Sequence, residues 1–352
     1  MQPAPASPSA HPVWGPRSLR ARLLLPVAWM FGAIACLRRL LFRLRLLKSE
    51  RLPVPVVVVG NVVVGGSGKT PLVLWVAHHL REQGWRPGIV SRGHGGRLAR
   101  EGAGCAEVNI ASDPALVGDE PLLLARRSAC PVWVGRERAH AARLLLAQHP
   151  ECNVLVLDDG LQHYALQRDV ELAVVDGRGF GNGWLLPAGP LREPVSRLAR
   201  VDAIVLNAVD DRPAELPAQV PCWRMRISGR ALVRLTDGSR TVDVSELGAR
   251  RVHAVAGIGE PARFFRHLES LGLEVIAHPF PDHHAFVPQD LAFGDGLPVL
   301  MTEKDAVKCK GFAQPQFWML PVQAEPDAAF GPFLMDRLRN PPLNTRRDRQ
   351  RD

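Results

Sequence analysis

No cysteine pair in this chain has the spacing of a metal knuckle or a redox disulfide. The six cysteines, Cys36, Cys105, Cys130, Cys152, Cys222 and Cys309, include no C-x-x-C, and 352 residues can bury a core without covalent staples. Reduced thiols in a cytoplasmic compartment are expected. An apolar run of full membrane-spanning length is also missing. The uncharged stretch at residues 23–37 has fifteen residues and is interrupted by Pro26. As a helix it would reach about 22 Å, short of a hydrocarbon core of about 30 Å. There is no internal repeat, which sets aside solenoids and propellers.

Net positive charge is nearly absent from the body of the chain. The net charge is +9, and residues 1–51 supply +8 of it through Arg17, Arg20, Arg22, Arg38, Arg39, Arg43, Arg45, Lys48 and Arg51 against Glu50. A nucleic-acid enzyme would need cations on its folded body, interleaved with stacking aromatics, so no nucleic-acid partner is expected. The basic segment instead flanks the apolar run and continues as R-R-L-L-F-R-L-R-L-L-K at 38–48, a mixture suited to an anionic membrane surface. Residues 17–50 are therefore read as a basic apolar membrane-interface helix, peripheral or monotopic, with spanning left open. An ordinary buried helix is the plain alternative. A secretory signal, hinted at by Ala33-Ile34-Ala35-Cys36, is opposed by the cations that follow it.

What the chain does contain is a β-branched run that breaks into glycine. Residues 56–71 read V-V-V-V-G-N-V-V-V-G-G-S-G-K-T-P. A strand feeding Gly65, Gly66, Ser67, Gly68, Lys69 and Thr70 is a phosphate-cradling loop: backbone N–H groups turn inward, Lys69 reaches the terminal phosphates, and Thr70 can ligate Mg²⁺. A nucleoside triphosphate with Mg²⁺ is therefore the expected ligand. The strict pattern has glycine five residues before Gly68, where this chain has Val63.

The body alternates strands and helices, which predicts an α/β fold: a P-loop-type, mostly parallel sheet covered by helices. Strands are expected at 56–60, 86–91, 154–157, 171–175 and 203–206, with helices at 71–83, 120–127 and 138–147. Their polar ends should share one edge. Short strands with a turn at Asp237-Gly238 fill 222–248, and a second strand–glycine–helix pattern starts near Val252, with further strands at 274–277 and 299–302. The expected domains are a loose 1–16, the interface helix 17–50, a P-loop core 51–221, a β linker 222–248, a smaller α/β domain 249–340 and a loose basic tail 341–352.

Residues 154–160, V-L-V-L-D-D-G, form a buried strand ending in Asp158 and Asp159, suited to Mg²⁺; which of the two ligates directly is open. Switch proteins fit poorly. Leu157 stands where a GTPase D-x-x-G needs aspartate, Asn207-Ala208-Val209-Asp210 lacks the lysine of N-K-x-D, and Val64 replaces the first lysine of partition ATPases. Small-molecule phosphoryl transfer remains.

Taken together, several motifs resemble the tetraacyldisaccharide 4'-kinase family, the lipid A 4'-kinases of Gram-negative bacteria. They are G-N-V-V-V-G-G-S-G-K-T-P, S-R-G at Ser91, G-D-E-P at Gly118, L-D-D-G-L-Q-H at Leu157 and L-L-P-A-G-P-L-R-E-P at Leu185, followed by A-G-I-G-E-P-A-R-F-F at Ala256, F-P-D-H-H-A-F at Phe280 and M-T-E-K-D-A-V-K-C at Met301. The resemblance runs from about Pro53 to Cys309. It implies transfer of the γ-phosphoryl of ATP to the 4'-hydroxyl of a lipid A disaccharide 1-phosphate precursor at the cytoplasmic face of the bacterial inner membrane, with no obligate protein partner. It also implies that Asp119 and His283 form a dyad that takes the acceptor's proton. Asp158, Asp159 and Glu193 join Thr70 around the metal, and Arg92, Gln162, His163 and Arg192 contact substrate or phosphate. Read alone, Asp119 would be a helix cap, and Arg192 with Glu193 a surface ion pair. The chain departs from the family pattern at His94, Leu161 and Tyr164, which bears on acceptor contacts. The rival reading is a membrane-associated P-loop NTPase that regulates a partner protein.

Overall fold

The computed structural model describes residues 18–340 apart from 102, 103, 210 and 239. The expectations of a loose start at 1–16 and a loose tail at 341–352, and the reading of Asp210, lie outside the described residues. The chain divides into two compact units, one made of 1–69, 159–225 and 326–352, the other of 70–158 and 226–325.

The first unit carries four parallel strands. Val56–Gly60 pairs with Val170–Asp176, that strand with Ala203–Asn207, and the last with Cys222–Ser228 through its first four residues. Three of these strands are buried along their whole length, which explains their near-continuous Val, Ile, Leu and Ala. Cys222–Ser228 thus belongs to a sheet, although the sequence placed it in a linker. The helix Phe330–Arg339 packs on it, with Trp223 against Phe330 and Phe333.

The N-terminal segment forms two helices, Leu19–Leu23 and Leu25–Arg43. The second differs from expectation. Pro26 lies in its first turn, where a missing N–H costs nothing, so proline starts this helix instead of interrupting it. Its nineteen residues reach about 28 Å, long and apolar enough to cross a membrane. One side packs on its own unit at helical spacing: Ala28 is buried, Gly32 leaves so little room that a Cβ would fall 2.6 Å from Leu185, and Phe42 approaches Tyr164. The other side shows Trp29, Met30, Ile34 and Leu37, each more than half exposed.

The second unit holds two sheets. In one, Val154–Asp158, Pro87–Ser91 and Val132–Gly135 run parallel, and Cys105–Val108 closes the edge antiparallel. In the other, six strands lie in the order Thr241–Asp243, Ala231–Arg234, Phe317–Leu320, Val299–Thr302, Arg251–Ala256 and Glu274–Pro279. The last four are parallel and the first two antiparallel. Leu232, Val252, Ala254, Phe264, Phe265, Leu268 and Trp318 form the core under the helix Pro261–Ser270.

Candidate active site

In the first unit the strand Val56–Gly60 runs into Asn61, and the chain then turns through Gly65 and Gly68 at φ of +91° and +88°. A side chain is strained at such angles. The loop is braced on several sides. Asn61 Nδ2 donates to Ser67 Oγ at 3.0 Å, Asn207 Nδ2 to the Ser67 carbonyl at 2.9 Å, and Arg178 Nη2 to the Gly66 carbonyl at 2.8 Å. Val63 makes a β-bridge with Leu191, and the Val64 N–H donates to the Pro190 carbonyl. The missing first glycine therefore has a structural reason: a β-branched residue there pairs the loop with the L-R-E-P segment.

Lys69 Nζ lies 3.4 Å from Asp159 Oδ1, and Arg192 Nη1 lies 2.6 Å from Asp159 Oδ2. One carboxylate thus bridges two cations at the foot of the loop, leaving an excess positive charge for a polyphosphate. Behind them, Glu193 is buried. Gln162 Nε2 donates to its Oε2 at 3.0 Å and Tyr164 Oη to its Oε1 at 2.5 Å, while Gln162 also donates to the Asn61 carbonyl. Burial, partly offset by the Arg197 cation, pushes the Tyr164 hydroxyl up to about 12, so it stays a donor at any working pH. His163 is half-buried on the same turn, and its carbonyl accepts from Arg168.

The second unit contributes Thr70, in the first turn of the helix Lys69–Glu82, and Asp158, buried at a strand tip with Ser91 Oγ donating to it at 2.9 Å. The hydroxyl of Thr70 and the carboxylates of Asp158 and Asp159 are hard oxygen donors that suit Mg²⁺. Among the described residues no group of three or more His, Cys, Asp or Glu forms a cage. Arg92 is exposed just past the strand Pro87–Ser91. Gly93 and Gly96 pack against the backbone of residues 116–118, where a Cβ would come within 3 Å.

The same unit brings Asp119 to His283, 164 residues apart. Gly118, at φ of +96°, takes the cap position of the helix Asp119–Ser128, and Asp119 begins its first turn. His283 Nδ1 is 3.1 and 3.2 Å from the two carboxylate oxygens, so the hydrogen on Nδ1 is donated to Asp119. His283 itself sits at φ of +61°, a strained setting for a side chain, with its N–H directed to the Gly257 carbonyl. The hydrogen bond to Asp119 raises the His283 pKa against burial and the nearby Lys304 charge. Burial would raise Asp119, but the His283 hydrogen bond and the charges of Lys304, His283 and Lys308 outweigh it and hold the carboxyl below its usual range.

Sequence reasoning passed over two lysines here. Lys304 and Lys308 lie four residues apart on the helix Glu303–Cys309, on one face, and both reach the dyad's surroundings. That spacing within T-E-K-D-A-V-K was the available signal.

A glycine loop after a buried parallel strand, a lysine at its end and carboxylates at the tip of a later strand define a P-loop phosphotransferase of the α/β class. A family model described as tetraacyldisaccharide-1-P 4'-kinase matches residues 20–339. The chain belongs to that family. Proteins named tetraacyldisaccharide 4'-kinase are similar throughout: one from Azoarcus sp. (strain BH72) is 52% identical over 95% of this chain and 97% of its own. Another, from Dechloromonas aromatica (strain RCB), is 55% identical over 90% and 92%. A crystal structure of "apo" form LpxK from Aquifex aeolicus in complex with ATP superposes with a TM-score of 0.76 at 30% identity, covering 90% of this chain and 99% of that one.

Proposed function

We propose that this chain transfers the γ-phosphoryl group of ATP to the 4'-hydroxyl of tetraacyldisaccharide 1-phosphate, the lipid A precursor, at the cytoplasmic face of the inner membrane. The observation that carries the reading is that one chain of this family holds both a braced phosphate loop, with Lys69 and Arg192 on Asp159, and an Asp119–His283 dyad whose carboxylate is buried.

The chemistry divides between donor and acceptor. The backbone of Gly65–Thr70 and the Lys69 ammonium hold the β and γ phosphates, and Arg192 neutralises charge that builds on the transferred group. His283 Nε2 takes the proton of the 4'-hydroxyl as that oxygen bonds to the γ phosphorus and the bond from phosphorus to the β–γ bridging oxygen breaks, leaving ADP. Asp119 keeps the imidazole hydrogen on Nδ1 and stabilises the imidazolium that forms. Thr70, Asp158 and Asp159 would hold Mg²⁺, which supplies charge neutralisation on the phosphate oxygens. Glu193, with both oxygens held by Gln162 and Tyr164, supports that shell from behind. Gln162, His163 and Arg92 serve the acceptor side.

The N-terminal helix brings the enzyme to its substrate. Because one side of Leu25–Arg43 is docked on its own unit, the helix lies along the bilayer interface with Trp29, Met30, Ile34 and Leu37 in the acyl boundary and does not cross. Sharing the interface with an acylated acceptor replaces extraction by a high effective concentration. No obligate protein partner is required by this reading. A kinase core that begins near residue 51 and a smaller α/β domain at 249–340 are part of the same proposal.

Purified protein incubated with γ-labelled ATP, Mg²⁺ and the disaccharide 1-phosphate in detergent micelles tests it. Label is expected in lipid. Label confined to free phosphate, with turnover stimulated by an added protein, would instead establish the regulatory NTPase.

A further inference from the structure

The atom of His283 that must receive the acceptor's proton already has a partner. Lys304 Nζ is 3.4 Å from His283 Nε2, 3.0 Å from Glu120 Oε1 and 3.2 Å from Asp282 Oδ1, and its side chain is only 15% exposed. With the imidazole hydrogen on Nδ1, facing Asp119, Nε2 carries the lone pair and the ammonium can donate to it. Two carboxylates suffice to balance the lysine, so its third contact is free to be given up.

We propose that Lys304 is a positioning residue of the dyad: its ammonium caps His283 Nε2 in the absence of acceptor, holds the ring neutral with its hydrogen on Nδ1, and withdraws onto Glu120 and Asp282 when the acceptor hydroxyl takes its place. The inference rests on the dyad reading above. A cation at hydrogen-bond distance disfavours a second cation on the ring, and so works against the buried carboxylate that favours imidazolium.

The other groups facing His283 are consistent with this. Asp282 Oδ1 is 3.9 Å from Nε2, Lys308 lies 3.8 Å from Asp119 and 2.9 Å from Asp305, and the His94 ring meets His283 edge-on at 5.3 Å between centroids. Of the two lysines, only Lys304 has a hydrogen bond to the imidazole. Among the causes acting on His283, Lys304 lowers its pKa while Asp119 and Asp282 raise it. Removing the lysine leaves the two carboxylates that it balanced, so both effects drive the ring toward imidazolium.

The deciding measurement, the titration of the ring, needs no substrate. In ¹⁵N-labelled full-length protein the neutral His283 ring should show Nδ1 protonated and Nε2 bare; the opposite tautomer in the wild type would overturn the proposal without any variant. Lys304→Met should raise the apparent pKa of His283 by roughly one unit, and Lys304→Arg should restore it. Lys304→Gln offers a second neutral variant should Lys304→Met fold poorly. The acid limb of kcat/KM for lipid phosphorylation should move up by the same amount, with KM for ATP unchanged. A His283 titration unmoved in a folded neutral variant would contradict the proposal. Because the titration reads the ring directly, it stands or falls separately from the kinase reading.

Discussion

Replacing Asp119 by asparagine keeps the shape of the side chain and an acceptor oxygen for His283 Nδ1, and removes only the charge. The contact is 3.1 Å long, between a carboxylate that is 5% exposed and a ring that becomes cationic as it takes the proton. At that separation, with an effective dielectric of about 20, the attraction is roughly 5 kcal/mol. Lys308 and solvent share the carboxylate, so about half of that is a fair expectation for the loss in the transition state. At about 1.4 kcal/mol per decade this is on the order of a hundredfold in kcat, within the range for general-base catalysis. KM for ATP should change little, since the nucleotide is bound by Lys69 and the glycine loop. His283→Ala should cost at least as much, and the double variant little more than the worse single one, because the two residues act as a unit. Lipid phosphorylation with initial rates at saturating ATP is the assay. An Asp119→Asn enzyme with near wild-type kcat, or losses that multiply in the double variant, would refute the reasoning.

The same pair makes stability depend on pH. His283 has a raised folded pKa, so its contribution is full below the unfolded value of about 6.5 and is lost as pH rises through the folded pKa. Asp119 has a lowered folded pKa, so its contribution is present above about 3.8 and lost as pH falls through the folded value. The difference in Tm between wild type and Asp119→Asn should therefore be greatest between about pH 4 and 6.5 and shrink toward pH 8; a flat difference would show that the pair is not ionised. Gly95→Ala should lower kcat severalfold, because a Cβ would sit 3.3 Å from His283 Nδ1 on backbone at φ of +85°, which itself costs about 1–2 kcal/mol. Unchanged kcat would mean that the ring is free to move aside. Changing Trp29, Met30, Ile34 and Leu37 together to serine should abolish recovery on anionic vesicles while leaving Tm in detergent-free buffer within a degree or two, since each side chain is mostly exposed in the folded chain but worth about 1.5–3 kcal/mol when buried in lipid. Full vesicle binding would return the helix to a purely structural role.

Most of the sheet was legible because its strands are buried on both faces and so read as apolar β-branched runs bounded by polar tips; Val56–Gly60 and Val154–Asp158 are the clearest. Cys105–Val108 was not, since three of its four residues are incompletely buried and glycines precede it. Pro26 was misread because proline has opposite meanings inside a helix and in its first turn, and the position of the helix start decides which applies. The phosphate loop could be read from neighbouring residues alone. Asp119 with His283 could not, because no spacing rule joins residues 164 apart; they came only through the family's motifs. Val63 illustrates the remaining gap: its departure from the loop pattern is visible in the sequence, but the reason, a β-bridge to Leu191, is tertiary.

The most direct test of the account is the position of the new phosphate. Wild-type protein, ATP, Mg²⁺ and the micellar disaccharide 1-phosphate should yield a product whose second ³¹P signal correlates with the proton on C4 of the distal glucosamine, and the product should be absent with His283→Ala. A phosphate on another hydroxyl, or ADP formed with no second lipid phosphorus signal, would contradict it.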